Sequence, residues 1–415
     1  MTAGRHDSYA SLRVPNYRWF VLSLLAMTVA SQIQAVVVAW QIYAITKDPL
    51  SLGLIGLAEA LPFISLALYA GHLADRRDRR GIALLALAIL FACSVALLWL
   101  TLSHAIAVWP YYAVIFASGI ARSFLIPSRT ALAAELVPRE LYANAVAWRS
   151  STWQFAAVVG PAVGGLLYGF GGPGVAYGAD AALMVVAVVA MVRVRHPRRV
   201  ATAMPASIGE SLGEGIRWVR SQPIILGAMT LDLFSVLFGG ATALLPIFAS
   251  DILRVGPQGL GLLRAAPAAG AVIMSLIVAH GRPMTRAGRA LLVNVALFGA
   301  CMIGFGLSRS FALSLALLAA SGMVDTISVV VRSTLLQVLT PDALLGRVAA
   351  VNAIFIGSSN EVGAFESGVA ARLLGAVPAV VLGGAATLGV VAATAWRVPE
   401  LRRLRELRRE EGAAA

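Results

Sequence analysis

Seven ionisable side chains fall inside stretches that are otherwise apolar: Glu59, Arg122, Asp232, Arg264, Asp325, Glu361 and Glu366. A charge surrounded by hydrocarbon is costly unless it finds a partner or water, so residues of this kind read as functional before they read as packing. Carboxylates and guanidinium groups in such places can exchange protons, pair with each other or hold a charged cargo. Gln32 and Gln34 add uncharged hydrogen-bonding groups to the first stretch. Arg264 stands near the end of its stretch, where its long side chain can snorkel to the surface. Asp180, near the start of another, reads as a cap. The five histidines are scattered, and Cys93 and Cys301 sit in apolar runs, so neither a metal site, a disulfide nor a cofactor is expected. Residues 169–174 match G-x-G-x-x-G but follow no strand, and read as a turn; no P-loop is present, so ATP coupling within this chain is not expected.

The elements that must position these groups are membrane spans. The chain has 415 residues, 59% of them hydrophobic and 13% charged, with a mean hydropathy of +0.82. A soluble domain is nearer a quarter charged. About twelve apolar runs are long enough to cross a ~30 Å hydrocarbon core as helices: near 18–45, 50–73, 81–103, 108–131, 145–168, 175–194, 223–249, 257–280, 290–307, 311–334, 346–372 and 378–398. The fold expected is therefore all-α and polytopic, with twelve transmembrane helices. The net charge of +13 is carried mostly by arginines in alternate short connections and at the termini. This places both termini in the cytoplasm and excludes a nucleic-acid surface. Ser207 and Glu210 resemble a capping box, after which Ile208, Leu212, Ile216 and Val219 recur at helical spacing, as in an amphipathic helix lying along the inner membrane face.

The chain repeats. Residues 119–149 overlay 322–352 without gaps, matching Gly119 to Gly322, Arg129 to Arg332 and Pro138 to Pro341. The organisation expected is an N-terminal six-helix half at 1–194, a linker with the amphipathic helix at 195–222, a parallel C-terminal half at 223–398 and a cytoplasmic tail at 399–415. The overlay also sets Arg122 on Asp325, opposite charges at equivalent depth.

Between the second and third runs, Gly71, Leu73, Ala74, Asp75, Arg76, Arg79 and Arg80 reproduce G-x-L-A-D-R-x-G-R-R, except that Asp78 replaces the glycine. This resembles the signature turn of major facilitator transporters. Gly160, Pro161, Gly164 and Gly165 are similar to the G-P-x-x-G-G core of the motif that bends the fifth helix in antiporters of that superfamily. Leu336-Gln337, Thr340-Pro341, Leu345-Gly346-Arg347 and the Glu400-Leu401-Arg402-Arg403 tail extend the resemblance to the bacterial drug and siderophore exporter branch, enterobactin-exporter-like proteins above all.

That resemblance implies a secondary transporter, not an enzyme, which exports a small organic molecule by proton antiport and alternating access. It implies a bacterial inner membrane, a monomer, and no partners beyond substrate, protons and lipid bilayer. Helices 1, 4, 7 and 10 line the cavity in that family, which makes Asp325, Arg122, Asp232, Gln32 and Gln34, with Glu361 at mid-depth, the substrate and proton site. Asp325 is the expected coupling carboxylate and Asp232 the next. Glu59 and Glu366 form an expected outer gate. Gly71, Asp75, Arg76, Arg79 and Arg80, with Arg129 and Arg332 at the inner ends of their helices, form the inner gate. An importer, a lysolipid or metal-ion transporter of the same fold, and more remotely a membrane receptor or enzyme, are the alternatives.

Overall fold

Hydrocarbon offers a backbone amide no water, so a chain of this composition must satisfy its N–H and C=O groups within each segment, and helix is the solution. The computed structural model describes residues 7–195, 208–281, 286–341 and 344–404, and helix is the only regular structure among them. The long helices are α1 (Pro15–Thr46), α2 (Pro49–Arg76), α3 (Arg79–Leu102), α4 (Trp109–Glu135) and α5 (Tyr142–Arg193). After α6 (Ile208–Ser221) come α7 (Pro223–Gly239), α8 (Gly256–His280), α9 (Ala287–Leu307), α10 (Phe311–Leu339), α11 (Leu345–Leu374), α12 (Ala376–Arg397) and the short α13 (Pro399–Arg403).

Nine helical segments among the described residues are long and apolar enough to cross a membrane, against the twelve expected. Two of the expected spans lie in the stretch labelled α5, where two helices meet at Gly172 (φ 76°, ψ 178°). The positive φ there is open to glycine at little cost. The glycine-rich run 169–174 thus holds the point where one helix ends and the next begins. The helices α4 and α11 are 27 and 30 residues long, but they carry several of the charged residues and fall outside those nine segments.

Chain contacts define two units: Met1–Gln41 with Leu61–Met204, and Ile42–Ala60 with Pro205–Ala415. In the first, Tyr17, Phe20 and Leu24 of α1 pack with Leu87 and Leu90 of α3, Leu125 and Leu132 of α4, and Met184 and Ala187 of α5. The glycine motif of α5 is where α1 approaches most closely. A Cβ at Gly160 would lie 2.5 Å from the Gln32 Cβ, and one at Gly164 would lie 3.0 Å from the Ile33 Cα. With lipid outside as apolar as the core, such contact between backbones replaces the hydrophobic effect as the force that joins helices.

In the second unit the same device joins α8 to α10, where a Cβ on Gly322 would meet the Pro267 carbonyl at 1.9 Å. It also explains why residues 42–60, expected in the N-terminal half, group with the second unit. Gly53 of α2 lies against Phe365 and Gly368 of α11, and Gly56 against Glu361 and Ala364. The amphipathic helix α6 turns Val219 into a cluster with Ile225, Met229, Leu336, Val348 and Val351. Glu214 also pairs with Arg347 at 2.6 Å, so one face of α6 is docked on protein. Ser207, the first residue of the expected capping box, lies outside the described residues.

Adding a side chain at Gly160 must push α1 away from α5. Gly160→Val is expected to destabilise the fold by about 1–3 kcal/mol, read as an earlier thermal unfolding of the detergent-purified protein. Gly178→Ala, where a Cβ meets nothing within 4 Å, is expected to unfold at the wild-type temperature.

Candidate functional site: charged groups inside the helical units

The turn between α2 and α3 is built from its charges. Asp78, at the position where the motif has glycine, is the N-cap of α3 and accepts bonds from the Arg80 and Gly81 amides at 3.2 and 3.1 Å. The exchange of glycine for aspartate therefore supplies a cap, with a negative charge where the helix dipole is positive. Arg79 donates to the Ala74 carbonyl at 3.1 Å and pairs with Glu135 of α4 at 2.5 Å. Arg80 reaches the Val192 carbonyl at the end of α5, at 2.7 Å. The motif thus ties α2, α3, α4 and α5 together at one end. The side chain of Asp75 lies outside the described residues, so its expected pairing with the arginines of the turn is not described either.

In the second unit, Arg332 of α10 forms an ion pair with Asp232 of α7, the arginine buried and the aspartate partly so. Arg332 was expected at an inner gate and Asp232 in a proton site; the structure brings these two together. In the first unit Arg129, the repeat equivalent of Arg332, meets no carboxylate among the described residues. Its guanidinium approaches the Met27 sulfur of α1 at 3.8 Å.

Asp325, seven residues before Arg332 on α10, is partly buried, and no described residue bonds or pairs with it. Arg122 is engaged in its own surroundings and acts electrostatically on Cys93 and Asp180. Gln34 is buried in α1, and Gln32 lies under Gly160.

Asp180 was expected to cap a helix. Instead it is completely buried, two turns into the stretch that follows Gly172, and neither carboxyl oxygen accepts a hydrogen bond. The Ser94 hydroxyl close by donates to the Leu90 carbonyl at 3.2 Å. One turn before Asp180, the buried Tyr177 hydroxyl is likewise unbonded. Tyr111 of α4, which acts on Tyr177, accepts a bond from Gln41 at 3.1 Å, and Gln41 also bonds Thr101 at 3.2 Å. Sequence reading missed this polar cluster because Asp180 lies near the start of its span, where a cap is expected, and its burial depends on packing. Pro173, fit to begin a new helix directly after a break, was the available signal.

Charged and polar groups are also paired in the second unit. Tyr43 donates to the Asp251 carboxylate, Ser250 donates to it at 2.6 Å, and Lys47 approaches it at 3.8 Å. Asp48 pairs with Arg372 of α11 at 3.4 Å. The antiparallel contact of α2 on α11 sets Glu366 level with Gly53 and brings Glu361 to Gly56. Glu59 is then about 9 Å further along the axis than Gly53, at 1.5 Å per residue, so the two expected gate carboxylates stand at different depths. Glu59 and Glu361 are both engaged. Among the described residues no group of three potential metal ligands occurs.

These features define a polytopic helical membrane transporter of the major facilitator type, not an enzyme. The chain belongs to the transmembrane secretion effector family, MFS_3, whose model matches residues 6–411. It is 28% identical over 342 residues to the enterobactin exporter EntS of Shigella boydii serotype 18, with 80% of each chain covered. The exporter of the same name from Escherichia coli O127:H6 gives the same identity and coverage. Among solved structures, a POT family transporter bound to a thioalcohol-conjugated peptide superposes with a TM-score of 0.73 over 94% of this chain and 96% of its own, at 13% identity. A bacterial homolog of the human lysosomal transporter Spinster, inward-facing and unoccupied, gives 0.62 over 96% of each chain at 15% identity. At such identities these two show the fold alone.

Removing one member of a buried pair leaves the other charge uncompensated, at a cost of roughly 3–5 kcal/mol. Asp232→Asn and Arg332→Gln are each expected to lower thermal stability by that order, and the double variant to recover part of the loss. Asp180 has no bonds to lose, so Asp180→Asn is expected to unfold at or above the wild-type temperature in the same assay.

Proposed function

We propose that this transporter exports a small organic molecule, siderophore- or drug-like, from a bacterial cytoplasm in exchange for protons. The observation that carries the reading is a carboxyl group in the apolar interior of each unit with no hydrogen bond: Asp180 in the first and Asp325 in the second. A group that binds protons and lies buried without partners is costly to maintain for structure alone. Proton uptake and release is the use that justifies it. Asp325 is the coupling carboxylate, with Asp180 beside it in role and Glu361 next. Asp232 is the weaker candidate, because Arg332 already holds it. The relatives named as enterobactin exporters support the outward direction and the cargo class.

In this reading both termini face the cytoplasm and the membrane is the bacterial inner one, in keeping with arginine-rich connections on one side. The monomer alternates access through its two six-helix halves, residues 1–194 and 223–398. Opening inward releases the contacts of the Asp75–Arg80 turn. Opening outward breaks the Tyr43–Asp251–Lys47 and Asp48–Arg372 contacts, with Glu59 and Glu366 flanking them.

In inside-out vesicles an acid lumen is expected to drive enterobactin inward, since the lumen then stands for the outside of the cell. Asp325→Asn is expected to abolish this pH-driven accumulation while downhill exchange persists. Accumulation by that variant with the wild-type pH dependence would assign the coupling elsewhere.

A further inference from the structure

The two copies of the repeat treat one buried arginine in opposite ways. Arg332 and Arg129 are equivalent, 203 residues apart in the gapless overlay, which also matches Arg149 to Asn352. In the second unit the arginine is neutralised by Asp232 and its neighbour by repeat is the uncharged Asn352. In the first unit the place of Asp232 on the seventh helix is taken by Met27 on the first, 205 residues earlier. Arg129 therefore faces a thioether, and Arg149 of α5 adds a second positive charge that bears on it.

Both arginines are partly buried, and among the described residues neither forms an ion pair. The carboxylate on the same helix, Glu135, is paired with Arg79. Besides Arg129, the titratable group facing Arg149 is Tyr17, whose hydroxyl donates to the Ala145 carbonyl at 2.6 Å and brings no negative charge. Two like charges held together away from bulk water repel, and a thioether compensates neither. Each keeps part of its surface exposed.

We propose that Arg129 and Arg149, framed by Met27, form a binding subsite for the anionic group of the cargo, a carboxylate. The assignment rests on the export reading for its cargo but on the repeat asymmetry for its place. The planar guanidinium forks of two arginines suit a planar, two-oxygen anion. The Met27 sulfur offers a soft, polarisable contact to the organic part of the same molecule.

The test is equilibrium binding to the full-length protein in phosphatidylcholine nanodiscs, with salicylate as the anionic probe and salicylamide as its neutral counterpart. Wild type is expected to bind salicylate at least tenfold more tightly than salicylamide. Arg129→Gln should remove that preference, and Arg129→Lys should keep most of it. Met27→Asp transplants the arrangement of the second unit. It should abolish salicylate binding while unfolding no earlier than wild type, an outcome that a purely structural arginine would not give. Equal affinity for the two probes, or full salicylate binding by Arg129→Gln, would overturn the subsite. So would displacement of salicylate by inorganic phosphate at matching concentrations, which would mark a site for any small anion. Loss of pH-driven transport in vesicles with salicylate binding intact would count against the export reading and leave the subsite standing.

Discussion

A membrane interior gives no water to a polar group and no hydrophobic reward for joining two apolar helices. Each helical unit must therefore hold together through close backbone approach and through polar groups that satisfy one another. Gly160 and Gly164 let α1 meet α5, Gly322 lets α10 meet α8, and Gly53 with Gly56 brings α2 onto α11. Hydroxyls are handled locally: Thr28 bonds the Leu24 carbonyl at 2.7 Å and Thr46 the Ile42 carbonyl at 2.9 Å, each one turn back on its own helix. Charges can be matched across helices, as in the ion pair of Asp232 with Arg332.

Against that rule the unmatched groups stand out. Asp180 and Tyr177 are buried without bonds, Asp325 is partly buried without a partner, and Arg129 meets sulfur in place of a carboxylate. Each is a place where the protein tolerates an energetic cost that simpler residues would avoid. Such costs are kept where protons or charged ligands must come and go, since a permanently satisfied group has no reason to bind anything.

The duplicated architecture makes this division visible. One ancestral arrangement of helices now carries Arg122 in one copy and Asp325 in the other, and a neutralised arginine in one copy and a bare one in the other. The family membership of the chain as a transmembrane secretion effector is consistent with a scaffold on which charge placement, rather than fold, distinguishes one cargo from another.

The sequence by itself determined the spans, the arginine turn and the duplication. Hydropathy over about 20 residues is a local property, and a helix in lipid satisfies its own backbone, so the start of α7 at Pro223 and the ends of α3 and α9 were legible within a few residues. The close-packing role of Gly160 was legible too, because small residues in a span have few other uses. Pairings were not. A helix surrounded by lipid and by other apolar helices shows little contrast between its faces, so its rotation and register are fixed only when neighbours pack. That is why sequence alone could place Asp232 in a proton site without showing that Arg332 holds it, and read Asp180 as a cap when it is buried. Which charges are matched depends on groups distant in sequence, and tertiary structure alone brings those together.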